Sequence, residues 1–130
     1  MLMDYKDRKY KRSKNYADSF KHAYTGIKTA VIEERNLRFH FCAAVVVIGL
    51  GFFYSITRTE WLVLVLCIFA VLVAEMTNTA IERAVDVATE RFMEEAKKAK
   101  DIAAGSVLLV STCAVVVGLI IFIPHILHFS

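Results

Sequence analysis

The stretch VLVAEMTNTAIERAVDVATERF, residues 71–92, begins as a membrane-type hydrophobic run and then carries three carboxylates and an amide. These polar residues are Glu75, Asn78, Glu82 and Asp86. At about 100° per residue, their spacing places all four within about 80° of one another on a helix. The stretch therefore predicts a membrane helix with an acidic stripe along one face at its end.

The sequence contains three apolar runs, at residues 39–56, 61–74 and 102–123. The quoted stretch begins within the second of them. The first and third are long enough to cross a hydrocarbon core of about 30 Å at about 1.5 Å per residue, and the second continues as a helical pattern. No alternating pattern persists, and an open sheet cannot face lipid. We predict an all-α integral membrane protein of one domain, residues 1–130, with membrane helices at 37–56, 61–86 and 100–123.

An amphipathic pattern precedes the first membrane helix. Residues 1–15 are polar, and residues 16–35 are predicted to form a helix lying on the membrane surface. Its apolar face includes Tyr16, Phe20, Tyr24 and Ile27. If the helix continues far enough, Glu34 falls on that same face. The alternative is that the helix has already ended within residues 33–36.

Basic residues are distributed unevenly between the two ends of the predicted helices. Of the 16 Lys and Arg residues, residues 1–38 contain 10 and residues 83–101 contain 5, while the outer loop contains only Arg58. The positive-inside rule then predicts a multi-pass cell-membrane protein whose N-terminus and 83–101 loop are cytoplasmic and whose C-terminus is outside. A folded basic domain with interleaved aromatic residues is missing from the pattern, so nucleic acid is not an expected partner.

The depth of the acidic residues limits what they can do. Measured from Trp61 at the outer boundary, Glu75 lies about 21 Å in and Glu82 about 31 Å in, at about 1.5 Å per residue. A carboxylate inside the membrane costs about 3 kcal/mol even on lenient scales. Such a residue is expected to face protein, water, a cation or a substrate.

Other charged residues are expected at the same level as this stripe. Lys100 and Asp101 stand at the predicted start of the third membrane helix, and Glu34 precedes the first. Clustered carboxylates repel one another, and all-oxygen ligands favour Mg²⁺. One interpretation is phosphoryl transfer to a lipid hydroxyl, with Glu75 as general base and Lys100 beside the phosphate. The alternatives are a polar seam between helices of an oligomer, or a non-enzymatic protein that binds divalent ions or a partner.

Several short motifs resemble one known family. The pattern E-x-x-N-[ST]-A-I-E-x-x-V-D occupies residues 75–86, A-K-D follows at 99–101, and G-I-K-T-A and E-E-R-N-L-R stand at 26–30 and 33–38. Over roughly residues 19–123 the chain resembles the small prokaryotic diacylglycerol kinases. The Glu-Glu-Arg-Asn form is similar to the Gram-positive branch, whose members resemble undecaprenol kinases.

The resemblance implies a lipid kinase that uses ATP and Mg²⁺, with undecaprenol as the expected lipid and diacylglycerol as the alternative. It implies a homotrimer with active sites between subunits. Under this resemblance Glu75 is the catalytic base, and Glu34 and Glu82 carry the metal. The remaining implied residues are Asn78, Lys100, Asp101 and Asp86 for the nucleotide and phosphates, with Asp86 holding Lys100, and Lys28, Glu75 and Ala104 for the lipid.

Two departures from the family pattern concern the nucleotide. Phe92 and Met93 stand where the family often has Tyr-His, so no side chain there is expected to hydrogen-bond the base. His22 replaces a common aromatic residue on the surface helix, and it could either stack on the nucleotide or face water. Neither a GxxxxGK[ST] loop nor a protein-kinase motif set is present.

Overall fold

The computed structural model describes residues 15–129, so the predicted polar segment 1–15 lies almost wholly outside the described residues. The described chain forms four helices: α1 (Tyr16–Glu33), α2 (Arg35–Phe53), α3 (Arg58–Ala88) and α4 (Glu94–Phe129). Three of them are long and apolar enough to cross a membrane, by length and composition: Arg35–Phe53, Arg58–Ala88 and Glu94–His128. The all-α fold predicted from the sequence is confirmed.

The helix starts follow local capping chemistry. The side chain of Asn15 accepts a hydrogen bond from the Asp18 backbone N–H at 2.9 Å and caps α1. Thr57 and Glu60 form a capping box at the start of α3, in which each side chain bonds the other residue's backbone N–H. The turn from α2 to α3 therefore occupies residues 54–57, three residues earlier than the predicted gap at 57–60, because α3 already begins at Arg58.

A single non-helical residue separates α1 from α2. Glu34 has extended backbone angles, with φ −107° and ψ 111°, and it serves as the last cap of α1 and the first cap of α2. Arg38 donates to the carbonyl oxygens of Val31 and Ile32 at 3.0 and 2.6 Å, which satisfies acceptors that the end of α1 leaves free. Of the two predictions for Glu34, the one that ends the helix at residues 33–36 is confirmed.

The last helix differs most from its predicted bounds. Prediction placed it at residues 100–123, whereas α4 begins at Glu94 and continues through Pro124 to Phe129. The predicted 83–101 loop is mostly helical, since only residues 89–93 separate α3 from α4. A hydrophobic run marks where a helix enters lipid, and the charged segment from Glu94 extends the helix beyond that point.

Of the three long helices, α3 is the central one, and α2 and α4 pack against it. Helix α3 contacts both α2 and α4, but no Cα of α2 lies within 8 Å of a Cα of α4 in the described chain. A core near the α2–α3 turn includes Ile56, Leu64, Ile121 and Phe122, all buried. Because α2 and α4 stand apart over much of their length, an apolar groove remains between them.

A close approach near the α2–α3 turn depends on a glycine. A Cβ added at Gly51 would lie 2.6 Å from Cη2 of Trp61 and 3.2 Å from Cδ1 of Ile56. A Cβ at Gly118 on α4 would meet nothing within 4 Å. Ser111 and Gly118 of α4 border the groove, and Ala104 is exposed.

Candidate active site

Glu75 is buried inside the single chain. Only 4% of the residue is exposed, and Asn78 of the stripe and the adjacent Thr79 are buried as well. Helix α3 turns this face inward, so the polar stripe seen in the sequence faces protein at this depth. The desolvation that burial imposes on a carboxylate makes its immediate partners important.

The partner of Glu75 comes from another helix. Nε2 of His40, on α2, lies 3.8 Å from Oε2 of Glu75. This is the one ion-pair contact that Glu75 makes within 4 Å among the described residues. Sequence reasoning missed His40, although it is the one histidine in the first apolar run, which contains no Asp, Glu, Lys or Arg, and such residues are a recognised signal in membrane segments.

The groove between α2 and α4 reaches His40 of this pair, whereas Glu75 is not among the residues that line it. It encloses about 560 Å³, and His40 and Ser111 are polar residues of its wall. Its apolar lining includes Val47, Leu64, Ile68, Ala114, Gly118 and Phe122. From Phe39 to Leu50 along α2 it extends roughly 17 Å at about 1.5 Å per residue. Its volume is within the range of about 300–1,000 Å³ that is usual for small-molecule sites.

The next polar pair lies one turn or more from Glu75 along α3, towards the charged end. Nδ2 of Asn78 donates to Oε1 of Glu82 at 3.2 Å. Oδ1 of Asn78 is buried and has no hydrogen-bond partner among the described residues. A buried acceptor of this kind is costly unless a ligand or water satisfies it. Together with the Glu82 carboxylate it provides oxygen donors of the kind that Mg²⁺ prefers, so these two residues fit a hard cation.

Glu34 is held differently from Glu82. Nη2 of Arg83 lies 3.0 Å from Oε1 of Glu34 and 2.6 Å from Oε2 of Glu33. Arg83 therefore ties α3 to the break between α1 and α2 and neutralises the carboxylate there. No group of three or more His, Cys, Asp and Glu side chains is placed to hold a metal ion within the described residues. Mg²⁺ commonly uses one or two carboxylates together with substrate phosphates, so two separate carboxylates remain compatible with it.

The first turns of α4 lie beside Asp86, the last residue of the stripe. Nζ of Lys100 lies 2.5 Å from Oδ1 of Asp86, which joins α4 to α3. This is the pairing that the resemblance implied. Asp101 instead pairs with Lys97 at 2.6 Å, on the exposed side of the same helix. Lys100 and Asp101 lie in the second turn of α4 rather than at its start, because the helix already begins at Glu94.

The other predicted residues lie apart from this cluster. Lys28 on α1 and Ala104 on α4 are exposed, and neither lines the groove. Phe92 and Met93 are exposed in the turn between α3 and α4, and His22 is exposed on α1. Of the implied nucleotide and lipid residues, the structure thus brings together those on α3 and the Lys100 side chain.

A further pair, at the start of α3, was also missed. Nε2 of His125 lies 3.0 Å from Oε2 of Glu60, linking the end of α4 to the start of α3. Since Glu60 also caps α3, one carboxylate fixes both the helix start and its contact with α4.

The fold and the site together define a small multi-pass membrane protein with an acidic site at the end of an apolar groove. Residues 21–122 match the prokaryotic diacylglycerol kinase family. The chain belongs to this family, and it is a membrane lipid kinase. The non-enzymatic alternatives are therefore set aside.

Three characterised relatives fit this membership. The undecaprenol kinase of Bacillus subtilis strain 168 is 38% identical over 122 residues, covering 94% of this chain and 98% of the relative. A diacylglycerol kinase of Synechocystis is 37% identical over 114 residues, covering 87% of this chain and 65% of the relative. A diacylglycerol kinase of Haemophilus influenzae is 32% identical over 93 residues, covering 71% and 78%. The resemblance to the undecaprenol kinase branch seen in the sequence is confirmed.

Proposed function

We propose that the protein transfers the γ-phosphate of Mg-ATP to the hydroxyl of undecaprenol, giving undecaprenyl phosphate. The observation that carries the proposal is that buried Glu75, at the start of a polar stripe, lies 3.8 Å from His40, which lines one end of the apolar groove. A similarity to undecaprenol kinase that spans nearly the whole of both chains supports a polyprenol over diacylglycerol. Diacylglycerol remains the alternative substrate, because other relatives carry that name.

In the proposed reaction Glu75 accepts the proton of the lipid hydroxyl. The hydroxyl oxygen forms a bond to the γ-phosphorus, and the bond from that phosphorus to the β,γ-bridging oxygen breaks. ADP leaves with the electron pair of the broken bond. Lys100, held by Asp86 about 16 Å from Glu75 along α3 at about 1.5 Å per residue, stabilises negative charge on the phosphates of the leaving nucleotide. Mg²⁺ supplies charge neutralisation on the phosphates when it is bound with ATP.

The stripe residues divide these roles by depth along α3. Glu82 and the free Oδ1 of Asn78 are proposed to hold the cation and its phosphates. Along the helix axis Asn78 lies about 4.5 Å and Glu82 about 10 Å from Glu75, at about 1.5 Å per residue. Glu34 is proposed as a second carboxylate for the metal, and it would have to exchange its contact with Arg83. Asp101 is proposed in the nucleotide environment, and Lys28 and Ala104 at the lipid's path.

The test uses purified protein in detergent micelles with γ-labelled ATP and either undecaprenol or diacylglycerol. We expect Mg²⁺-dependent label in undecaprenyl phosphate, with the higher kcat/KM for undecaprenol. A higher kcat/KM for diacylglycerol would reassign the substrate. No label in either lipid would overturn the proposed function.

Orientation and assembly are also proposals. We propose that the N-terminus and the α3–α4 turn are cytoplasmic, supported by the Lys and Arg distribution. In a variant without native cysteines, an impermeant thiol reagent should label His128→Cys but not Glu90→Cys on intact cells. We also propose a homotrimer, which would cover part of the apolar surface that one chain leaves exposed on α4. Native mass spectrometry from micelles tests this assembly.

A further inference from the structure

His40 lies between the apolar groove and the buried Glu75 carboxylate, and the proposed reaction must bring the lipid from the first to the second. Its ring lines the groove, and its Nε2 lies 3.8 Å from Oε2 of Glu75. Its side chain keeps 21% of its exposure, whereas that of Glu75 keeps 5%. The imidazole thus stands between the buried carboxylate and the space of the groove.

Glu75 needs such a partner on physical grounds. A base must carry its negative charge before it accepts a proton, and a buried carboxylate without a hydrogen bond or opposite charge is strongly disfavoured. Along α3 itself, Asn78 already donates to Glu82, and Arg83 is bonded to Glu33 and Glu34. Lys100 is held by Asp86. His40 is the remaining donor that the described contacts bring to Glu75.

We infer that His40 is a positioning residue for the reaction, holding the Glu75 carboxylate towards the groove end where the lipid hydroxyl arrives. This inference rests on the proposed function. The separation of 3.8 Å exceeds a hydrogen bond, and catalytic contacts of this kind commonly shorten when substrate is bound. His40 takes no proton from the substrate, because that proton goes to Glu75.

The experiment compares His40→Ala and His40→Gln in the undecaprenol transfer assay. Removing a group that orients a functional ligand commonly costs about 10- to 100-fold. His40→Ala should therefore lower kcat about 10- to 100-fold, with the KM for Mg-ATP changed less than about twofold. His40→Gln retains an N–H donor and should recover at least about a third of the wild-type kcat. His128→Ala, which removes an exposed histidine at the far end of α4, should leave kcat unchanged.

A coupled variant separates positioning from general damage. If His40 acts through Glu75, then adding His40→Ala to Glu75→Gln should lower kcat no further. A wild-type kcat in His40→Ala would overturn the inference, and so would a further tenfold loss in the double variant. Equal losses in the Ala and Gln variants would overturn it too. Absence of transfer by the wild-type protein would instead overturn the proposed function, and this inference with it.

Discussion

The side-chain amide of Asn78 donates to Oε1 of Glu82 at 3.2 Å and leaves its own Oδ1 buried without a partner in the described chain. The pair therefore combines a carboxylate that is already oriented with an acceptor that is still unsatisfied. Folding alone gains little from leaving an amide oxygen in that state. A bound cation or phosphate-bearing ligand would satisfy it, which makes this pair the first place to test for metal use.

Removing the Glu82 carboxylate should weaken the use of Mg-ATP. We expect Glu82→Gln to raise the Mg²⁺ concentration needed for half-maximal transfer at least about tenfold, and Asn78→Ala to raise it about 10- to 100-fold, because partners of metal-binding carboxylates have effects of that size. Titration of Mg²⁺ at fixed ATP and lipid concentrations measures this half-maximal Mg²⁺ concentration. Glu90→Gln, an exposed carboxylate in the α3–α4 turn, is the control. Unchanged Mg²⁺ dependence in Glu82→Gln would remove this residue from the metal site.

The Lys100–Asp86 pair predicts unequal effects for its two members. Lys100→Met should lower kcat about 100-fold, because the loss of one charge-stabilising donor commonly costs about 10²- to 10³-fold. Asp86→Asn keeps a hydrogen-bond acceptor and should cost less, since Asp86 acts by orienting Lys100. Steady-state transfer kinetics measure both. Lys98→Met should match wild type, because Lys98 pairs with Glu95 and lies outside the site; a normal kcat in Lys100→Met would contradict the assignment.

A larger side chain in the groove should weaken the binding of the lipid and leave the binding of ATP unchanged. A Cβ at Gly118 meets nothing within 4 Å, and Gly118 lines the groove, so the larger side chain of Gly118→Leu can enter the space. We expect at least about a tenfold higher KM for undecaprenol, with the KM for ATP unchanged, because one or two displaced methylenes are worth about 1–3 kcal/mol. Cys113→Leu, exposed on the same helix, is the matched variant. An unaltered lipid KM in Gly118→Leu would place the lipid elsewhere.

Alanine substitutions at two glycines of α2 should have opposite effects on stability. Gly51→Ala would place a methyl group 2.6 Å from the Trp61 ring and should lower the free energy of unfolding by about 1–3 kcal/mol, as overpacking does. Gly49→Ala meets nothing within 4 Å and should raise it by up to about 1 kcal/mol through helix propensity. Denaturant unfolding in micelles, followed by circular dichroism, compares them. Equal stabilities would mean that Trp61 moves aside without cost.

The parts of the site that lie on one helix could be predicted from the sequence. Glu75, Asn78 and Glu82 share a face because helical geometry relates residues three and four positions apart, and burial then follows the apolar pattern around them. The Lys100–Asp86 contact came from the family resemblance and is present in the structure. Local rules of this kind also predicted the membrane helices themselves.

The missed contacts join residues that no local period relates. His40 and Glu75 meet because α2 and α3 cross at that level, and Arg83 reaches Glu33 and Glu34 because the chain breaks at Glu34. The early start of α4 was missed for another reason. Hydrophobicity reports the membrane boundary, whereas the helix depends on hydrogen bonds that continue into the charged segment from Glu94.

The central claim is that Glu75 is the base of a lipid kinase, and the most direct test is transfer of labelled phosphate from ATP to undecaprenol by wild type and by Glu75→Gln. Loss of a general base commonly costs about 10²- to 10⁴-fold. We predict a fall of at least about 100-fold in kcat, with the oligomeric state and the helical circular dichroism of the variant unchanged. A Glu75→Gln protein that transfers phosphate at the wild-type rate would contradict the account.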